Sequence, residues 1–116
     1  MKSSVNTILI TGASSGIGEL TARLFASQGF RVFGTSRRRC PNKGDVKMLE
    51  LDVRSDDSVQ RGVAEVLAQT GQIDVLVNNA GVLLQGLFAE ETAMEEARMV
   101  FETNFFGVVR MTHCRP

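Results

Sequence analysis

The chain has 116 residues, enough for one small domain with a core of its own but not for a cofactor domain plus a separate substrate domain. Its 13 basic and 13 acidic residues cancel, which removes any general attraction to nucleic acid or to an anionic membrane. No apolar run reaches membrane-spanning length, no leader is recognisable, and Cys40 and Cys114 stand far apart outside any metal-ligand spacing, so a cytosolic domain with two reduced thiols and no metal is expected.

Residues 5–11 form a short apolar run that predicts a first strand. The turn that follows, Thr11-Gly12-Ala13-Ser14-Ser15-Gly16-Ile17-Gly18, opens a helix whose apolar face is expected to be Ile17, Leu20, Leu24 and Phe25, closed by Gly29 in the left-handed conformation. Residues 31–36 and 46–53 read as the second and third strands, with a basic loop over 37–45 between them. Ser55, followed by Asp56 and Asp57, caps a helix carrying Val59, Val63, Val66 and Leu67 as a stripe and ending at Gly71. Residues 73–77 are the fourth strand. Thr92 and Glu95 have capping-box spacing, which predicts a last helix running towards the C-terminus, with Asn104 among Met94, Ala97, Phe101, Phe105 and Val108 as an amide in an apolar stripe. A buried amide of that kind needs partners, or it costs about 1–3 kcal/mol.

Strands and helices in this alternation imply one α/β domain over residues 1–116: a doubly wound parallel sheet of about four strands, with the first strand central. Ligands of such sheets bind beyond the carboxyl ends of the strands, where strand order reverses. A glycine-rich turn between a strand and a helix lets backbone approach a pyrophosphate, and the helix N-terminus offers it unpaired N–H groups and a positive dipole end. The turn at residues 11–18 therefore points to a dinucleotide, although a glycine motif alone also serves as a plain tight turn.

Four features in order, Thr11 to Gly18, then Leu51-Asp52-Val53, then Asn78-Asn79-Ala80-Gly81, then Asn104 on a helix, resemble the N-terminal half of a short-chain dehydrogenase/reductase with a Rossmann-like sheet. The resemblance implies a phosphate turn built from Gly12, Gly16 and Gly18 and lined by Ser14, Ser15 and Ile17. It implies adenine contacts from Asp52 and Val53, and close backbone approach to adenine and ribose along Asn79, Ala80 and Gly81. Arg37 follows the second strand where the adenosine ribose belongs. With Ser36, Arg38 and Arg39 around it and no carboxylate, NADP(H) is expected, because an arginine suits a 2′-phosphate and an acidic residue a 2′-hydroxyl. Asn104 is the catalytic contribution the resemblance implies, kinking its helix and holding a water in a proton relay to a catalytic lysine.

The family's Tyr-x-x-x-Lys belongs beyond residue 116, and these residues include no tyrosine. Three readings stand together: the cofactor half of an NADP(H)-dependent oxidoreductase interconverting an alcohol and a carbonyl, a non-catalytic dinucleotide-binding or dimerising module, and a truncation product without activity. The open outer edge of the fourth strand and the apolar last helix predict self-association. The loop over residues 82–91, with Leu83, Leu84, Leu87 and Phe88, is apolar enough to suit a lipid-like alcohol or ketone, but ordinary packing accounts for it more readily.

Overall fold

Four apolar stretches become four parallel strands: β1 (Thr7–Ile10), β2 (Arg31–Ser36), β3 (Lys47–Glu50) and β4 (Val75–Val77). The computed structural model describes residues 5–82 and 93–114. The strands lie in the order β3-β2-β1-β4, with Leu9 opposite both Phe33 and Leu76 and Phe33 opposite Lys47. From β1 the chain steps outward to β3 and then returns to the other side of β1, so strand order reverses between β1 and β4. The carboxyl ends of those two strands border the crevice that such a reversal creates.

Alternation along the strands sorts the core into two layers. Ile8, Ile10 and Val32 point to one face and pack with Ala13, Ala22 and Val46, while Leu9, Phe33 and Leu49 point to the other and meet Val59, Val63, Val66 and Met111. All four residues of β1 are buried, as a central parallel strand covered on both faces requires. The helices are α1 (Gly16–Ser27), α2 (Asp56–Thr70), α3 (Met94–Phe101) and α4 (Gly107–His113), with one π-helical turn, Glu102–Phe106, joining the last two. The Ser55 hydroxyl caps α2 by accepting from the Ser58 N–H at 3.2 Å, and Gly71 ends it at φ +81°. Gly29, just past α1, also takes a positive φ, +92°.

Some expectations from the sequence are corrected. On α1, Ile17, Leu20 and Leu24 are 76%, 71% and 58% exposed, whereas Gly18 and Ala22 are buried and Phe25 and Ala26 pack partly beneath them. Small residues win the inner face because the helix lies so close to the turn before it that a Cβ on Gly18 would collide with the Gly12 carbonyl and the Asn79 amide. On the last helix, Phe101 and Phe105 are 61% and 56% exposed, while Thr103, Gly107 and Met111, spaced four apart, face the sheet. Gly107 decides this packing, since a Cβ there would stand 2.7 Å from Val53 Cγ2. The capping box expected from Thr92 and Glu95 rests on Thr92, which lies outside the described residues; the residue before α3 is Ala93, which makes no side-chain capping bond. The strands predicted over 46–53 and 73–77 are shorter than expected: β3 ends at Glu50 and β4 begins at Val75, although the Leu51 N–H still donates to the Ser36 carbonyl at 2.8 Å and the Asp74 N–H to the Thr7 carbonyl at 2.9 Å.

Candidate functional site

At the carboxyl end of β1 the backbone turns sharply, with φ +68° at Gly12 and +59° at Gly16. The turn is interlocked with the segment after β4. The Thr11 N–H donates to the Val77 carbonyl at 3.0 Å, and the buried Thr11 hydroxyl accepts from the N–H groups of Asn79 and Ala80, each at 3.0 Å. In return the Asn79 side-chain amide donates to the Gly12 carbonyl at 2.9 Å. From β2, Thr35 completes the frame: its hydroxyl accepts from Gly12 N–H at 3.3 Å and its carbonyl from Ala13 N–H at 2.9 Å. A Cβ on Gly12 would come within 2.9 Å of Ala80 Cα, so only glycine allows the two segments this close.

The turn feeds α1, whose N-cap residue Ser15 makes no side-chain capping bond, in contrast to Ser55 on α2. The first-turn N–H groups of α1 are thus left for something else, at the positive end of the helix dipole. A Cβ built on Gly16 meets nothing within 4 Å, so bare backbone borders open space there. The residues on either side of Gly16 line a cleft of about 470 Å³. Gly12, Ser14, Ser15, Ile17 and Gly18 form one wall, Val53, Asn79, Ala80 and Gly81 the other, and Arg37 and Arg38 stand at the end of β2. A glycine-bordered, uncapped helix end with cations at one extremity fits an elongated polyanion such as a dinucleotide.

Asp52 is placed differently. It lines an adjoining cleft of about 1050 Å³, and Arg37 belongs to both clefts. Its carboxylate is gripped by Arg54, whose backbone N–H and Nε donate to Oδ1 at 2.9 and 3.0 Å and whose Nη2 donates to Oδ2 at 2.8 Å. Hydrogen bonding by Arg54 holds the carboxyl below its ordinary pKa, against an opposing effect of burial, and the more distant charge of Arg37 adds to the lowering.

The Asn104 side chain belongs to an exposed residue, not to a buried amide as the stripe suggested. Its Oδ1 accepts from Val82 N–H at 2.8 Å and its Nδ2 donates to the Val82 carbonyl at 2.7 Å, so both ends of the amide are used. Asn104 lies within the π-helical turn that joins α3 and α4. Gly81 sits under the same amide: a Cβ would lie 3.2 Å from Asn104 Oδ1. The loop residues Leu83, Leu84, Leu87 and Phe88 lie outside the described residues.

Thr11, Thr35 and Arg54 escaped sequence reasoning. The two threonines carried a signal, a hydroxyl closing an otherwise buried strand, which implies a local acceptor role. Arg54 carried none, since an arginine in a polar turn reads as solvated. Arg110 is a further case. It bonds Asp56 at 2.7 Å, Glu102 at 2.7 Å and the Val53 carbonyl at 3.3 Å, which ties the last helix to the corner after β3. Glu102 first, and Asp56 after it, raise its pKa.

Comparison with known proteins places this geometry. The family model for short chain dehydrogenase matches residues 6–114. A 3-ketodihydrosphingosine reductase of Bacteroides thetaiotaomicron is 48% identical over 104 residues, covering 90% of this chain and 38% of the relative. An NADP-dependent 3-hydroxy acid dehydrogenase of Shigella flexneri is 36% identical over 112 residues, covering 90% and 45%. Among solved structures, the 3-ketoacyl-(acyl-carrier-protein) reductase of Brucella melitensis, complexed with NADH, superimposes with a TM-score of 0.86 at 32% identity, covering 92% of this chain and 47% of that one. The chain thus spans less than half the length of each of these three proteins.

Proposed function

The chain belongs to the short chain dehydrogenase family, and from that membership we propose that it is the dinucleotide-binding part of an NADP(H)-dependent oxidoreductase interconverting an alcohol and a carbonyl. The observation that carries the reading is the cleft between the turn after β1 and the segment after β4, with Arg37 and Arg38 at its β2 end. Gly12, Gly16 and Gly18, with Ser14, Ser15 and Ile17, would hold the pyrophosphate by backbone and hydroxyl groups at the uncapped start of α1. Asn79, Ala80 and Gly81 would lie along adenine and ribose, Val53 would close the cleft beneath them, and Asp52 would accept from the adenine amino group. The Arg37 guanidinium would take the 2′-phosphate by a charge-assisted, fork-shaped contact, and Arg38 would add charge beside it.

The bound nicotinamide is the group that supplies or accepts the hydride. These 116 residues contain no tyrosine, so the proton donor of the family's Tyr-x-x-x-Lys would come from chain outside them. Asn104 acts here by position, holding Val82 and the end of the cleft wall against the π-helical turn; a part in a proton relay is what the family resemblance implies for a longer protein. The 48% identity to a 3-ketodihydrosphingosine reductase supports a lipid-like ketone as substrate, in keeping with the apolar residues over 83–88.

A second reading, a dinucleotide-binding module that acts by association, is favoured by the exposed Phe101, Phe105, Phe106 and Val109 on the last helix, an apolar face suited to another protein surface. Titration of the chain with NADPH and NADH, followed by nucleotide fluorescence, tests the principal reading. Arg37→Asp should weaken NADPH roughly 10- to 100-fold and leave NADH nearly unchanged, since a hydrogen bond to a charged group contributes about 1.5–3 kcal/mol. Equal loss for both nucleotides would remove the assignment of NADP(H).

A further inference from the structure

The site contains an acid that could defeat it. Asp52 and Arg37 line the same 1050 Å³ cleft, and Arg37 also lines the cleft assigned above to the dinucleotide. A carboxylate beside the cation meant for a 2′-phosphate is a competitor: paired with Asp52, Arg37 would be turned away from the phosphate and partly neutralised. Among the described residues Arg37 makes no ion pair. The carboxylate is instead occupied by Arg54, through both of its oxygens and the adjoining backbone N–H.

We propose that Arg54 is a specificity-determining positioning residue, which keeps the Asp52 carboxylate engaged and so leaves Arg37 free to recognise the 2′-phosphate of NADP(H). The proposal rests on the dinucleotide reading of the cleft. Three observations carry it. The grip is fork-shaped, with Nε and Nη2 of one guanidinium on the two oxygens of one carboxylate, so it fixes orientation as well as charge. The two partners are two residues apart on one turn, and the backbone N–H of Arg54 also binds Oδ1, so the grip forms locally and does not depend on a distant element. The rest of Asp52 is anchored too, because the Ser58 hydroxyl accepts from its backbone N–H at 2.8 Å, next to the Ser55 cap of α2. The carboxylate thus has little freedom to move unless Arg54 lets go. Arg37 is near enough that its charge already acts on Asp52, behind that of Arg54. Removal of Arg54 leaves it the nearest cation named on that carboxylate.

The test compares two small ligands that differ only at the 2′ position, adenosine 2′,5′-bisphosphate and 5′-AMP, bound to the 116-residue chain and followed by calorimetry. Both carry the same adenine, so whatever Asp52 does for the ring cancels in the ratio of their affinities. The parent chain should prefer the bisphosphate; no preference would overturn the NADP(H) reading itself and this inference with it. Given that preference, Arg54→Ala should lower the ratio about tenfold, the scale of one charge-assisted hydrogen bond. Adding Asp52→Asn to Arg54→Ala should restore it, because the competitor is gone, and Asp52→Asn alone should not lower it, whatever it costs both ligands at the adenine. If Arg54 only supports the turn, Arg54→Ala will weaken both ligands alike with the ratio unchanged, or the double variant will not recover; either result overturns the inference while the NADP(H) reading stands. If Arg54→Ala fails to fold, Arg54→Gln keeps the stem, removes the charge and is held to the same comparison.

Discussion

Thr11→Val removes one oxygen and leaves the shape of the side chain almost unchanged. That oxygen accepts two backbone N–H groups, from Asn79 and Ala80, each at 3.0 Å, and Thr11 is only 1% exposed. The substitution therefore leaves two donors without their acceptor in a region where Asn79 and Ala80 are partly buried. An unsatisfied buried group costs about 1–3 kcal/mol, so two of them, with some access to water, should cost about 2–4 kcal/mol. For a domain whose whole stability is about 5–15 kcal/mol this is a large fraction. With a urea slope of about 2 kcal/mol per molar, the midpoint should fall by about 1–2 M at unchanged slope. Thr11→Ser keeps the acceptor and loses one methyl, about 1 kcal/mol, so it should lie near the parent. A Thr11→Val midpoint within about 0.3 M of the parent, on the same slope scale, would refute the view that this hydroxyl bolts the segment after β4 to the turn after β1.

Other outcomes follow from the same contacts. Gly18→Ala should abolish NADPH binding and lower the unfolding midpoint, because its Cβ collides with the Gly12 carbonyl and the Asn79 amide; normal binding in a nucleotide titration would show that α1 can shift without harm. Asp52 has a lowered pKa through Arg54, so its contribution to stability is present above the ordinary carboxylate value, about 3.9, and is lost as pH falls through the lower folded value. The difference in urea midpoint between parent and Asp52→Asn should accordingly shrink below about pH 4, and a difference that stays constant down to pH 2 would contradict the ion pair's role. Phe105→Asp places a charge on the exposed apolar side of the last helix, where Phe105 is 56% accessible and stacks edge-on with Phe106. Sedimentation should show an associating parent chain and a monomeric variant, and an unchanged profile would argue that this face does not join copies.

Much of this molecule is local chemistry and was legible in the residues themselves. Apolar runs of four to six residues between helical segments specify parallel strands, and a serine before two aspartates, or a glycine at a helix end, acts within a few bonds of itself, as at Ser55, Gly29 and Gly71. The glycine turn belongs to the same class, because a positive φ at Gly12 and Gly16 is a property of single residues. Which apolar residues face inward was not local. Ile17, Leu20 and Leu24 have the periodicity of a core stripe, and Phe101 and Phe105 that of another. Yet Gly18, Ala22 and Gly107 hold the inner positions, because helix and sheet approach to a distance at which only small side chains fit. The partners of Thr11, Asn79 and Asn104 were likewise set by the fold, since they lie 22 to 69 residues away, and those of Thr11 and Asn79 meet only when β4 takes its place beside β1. The engagement of Asp52 by Arg54 is short in sequence but was decided by the turn after β3, which brings the guanidinium onto the carboxylate; the residue types alone leave Arg54 free to point into water.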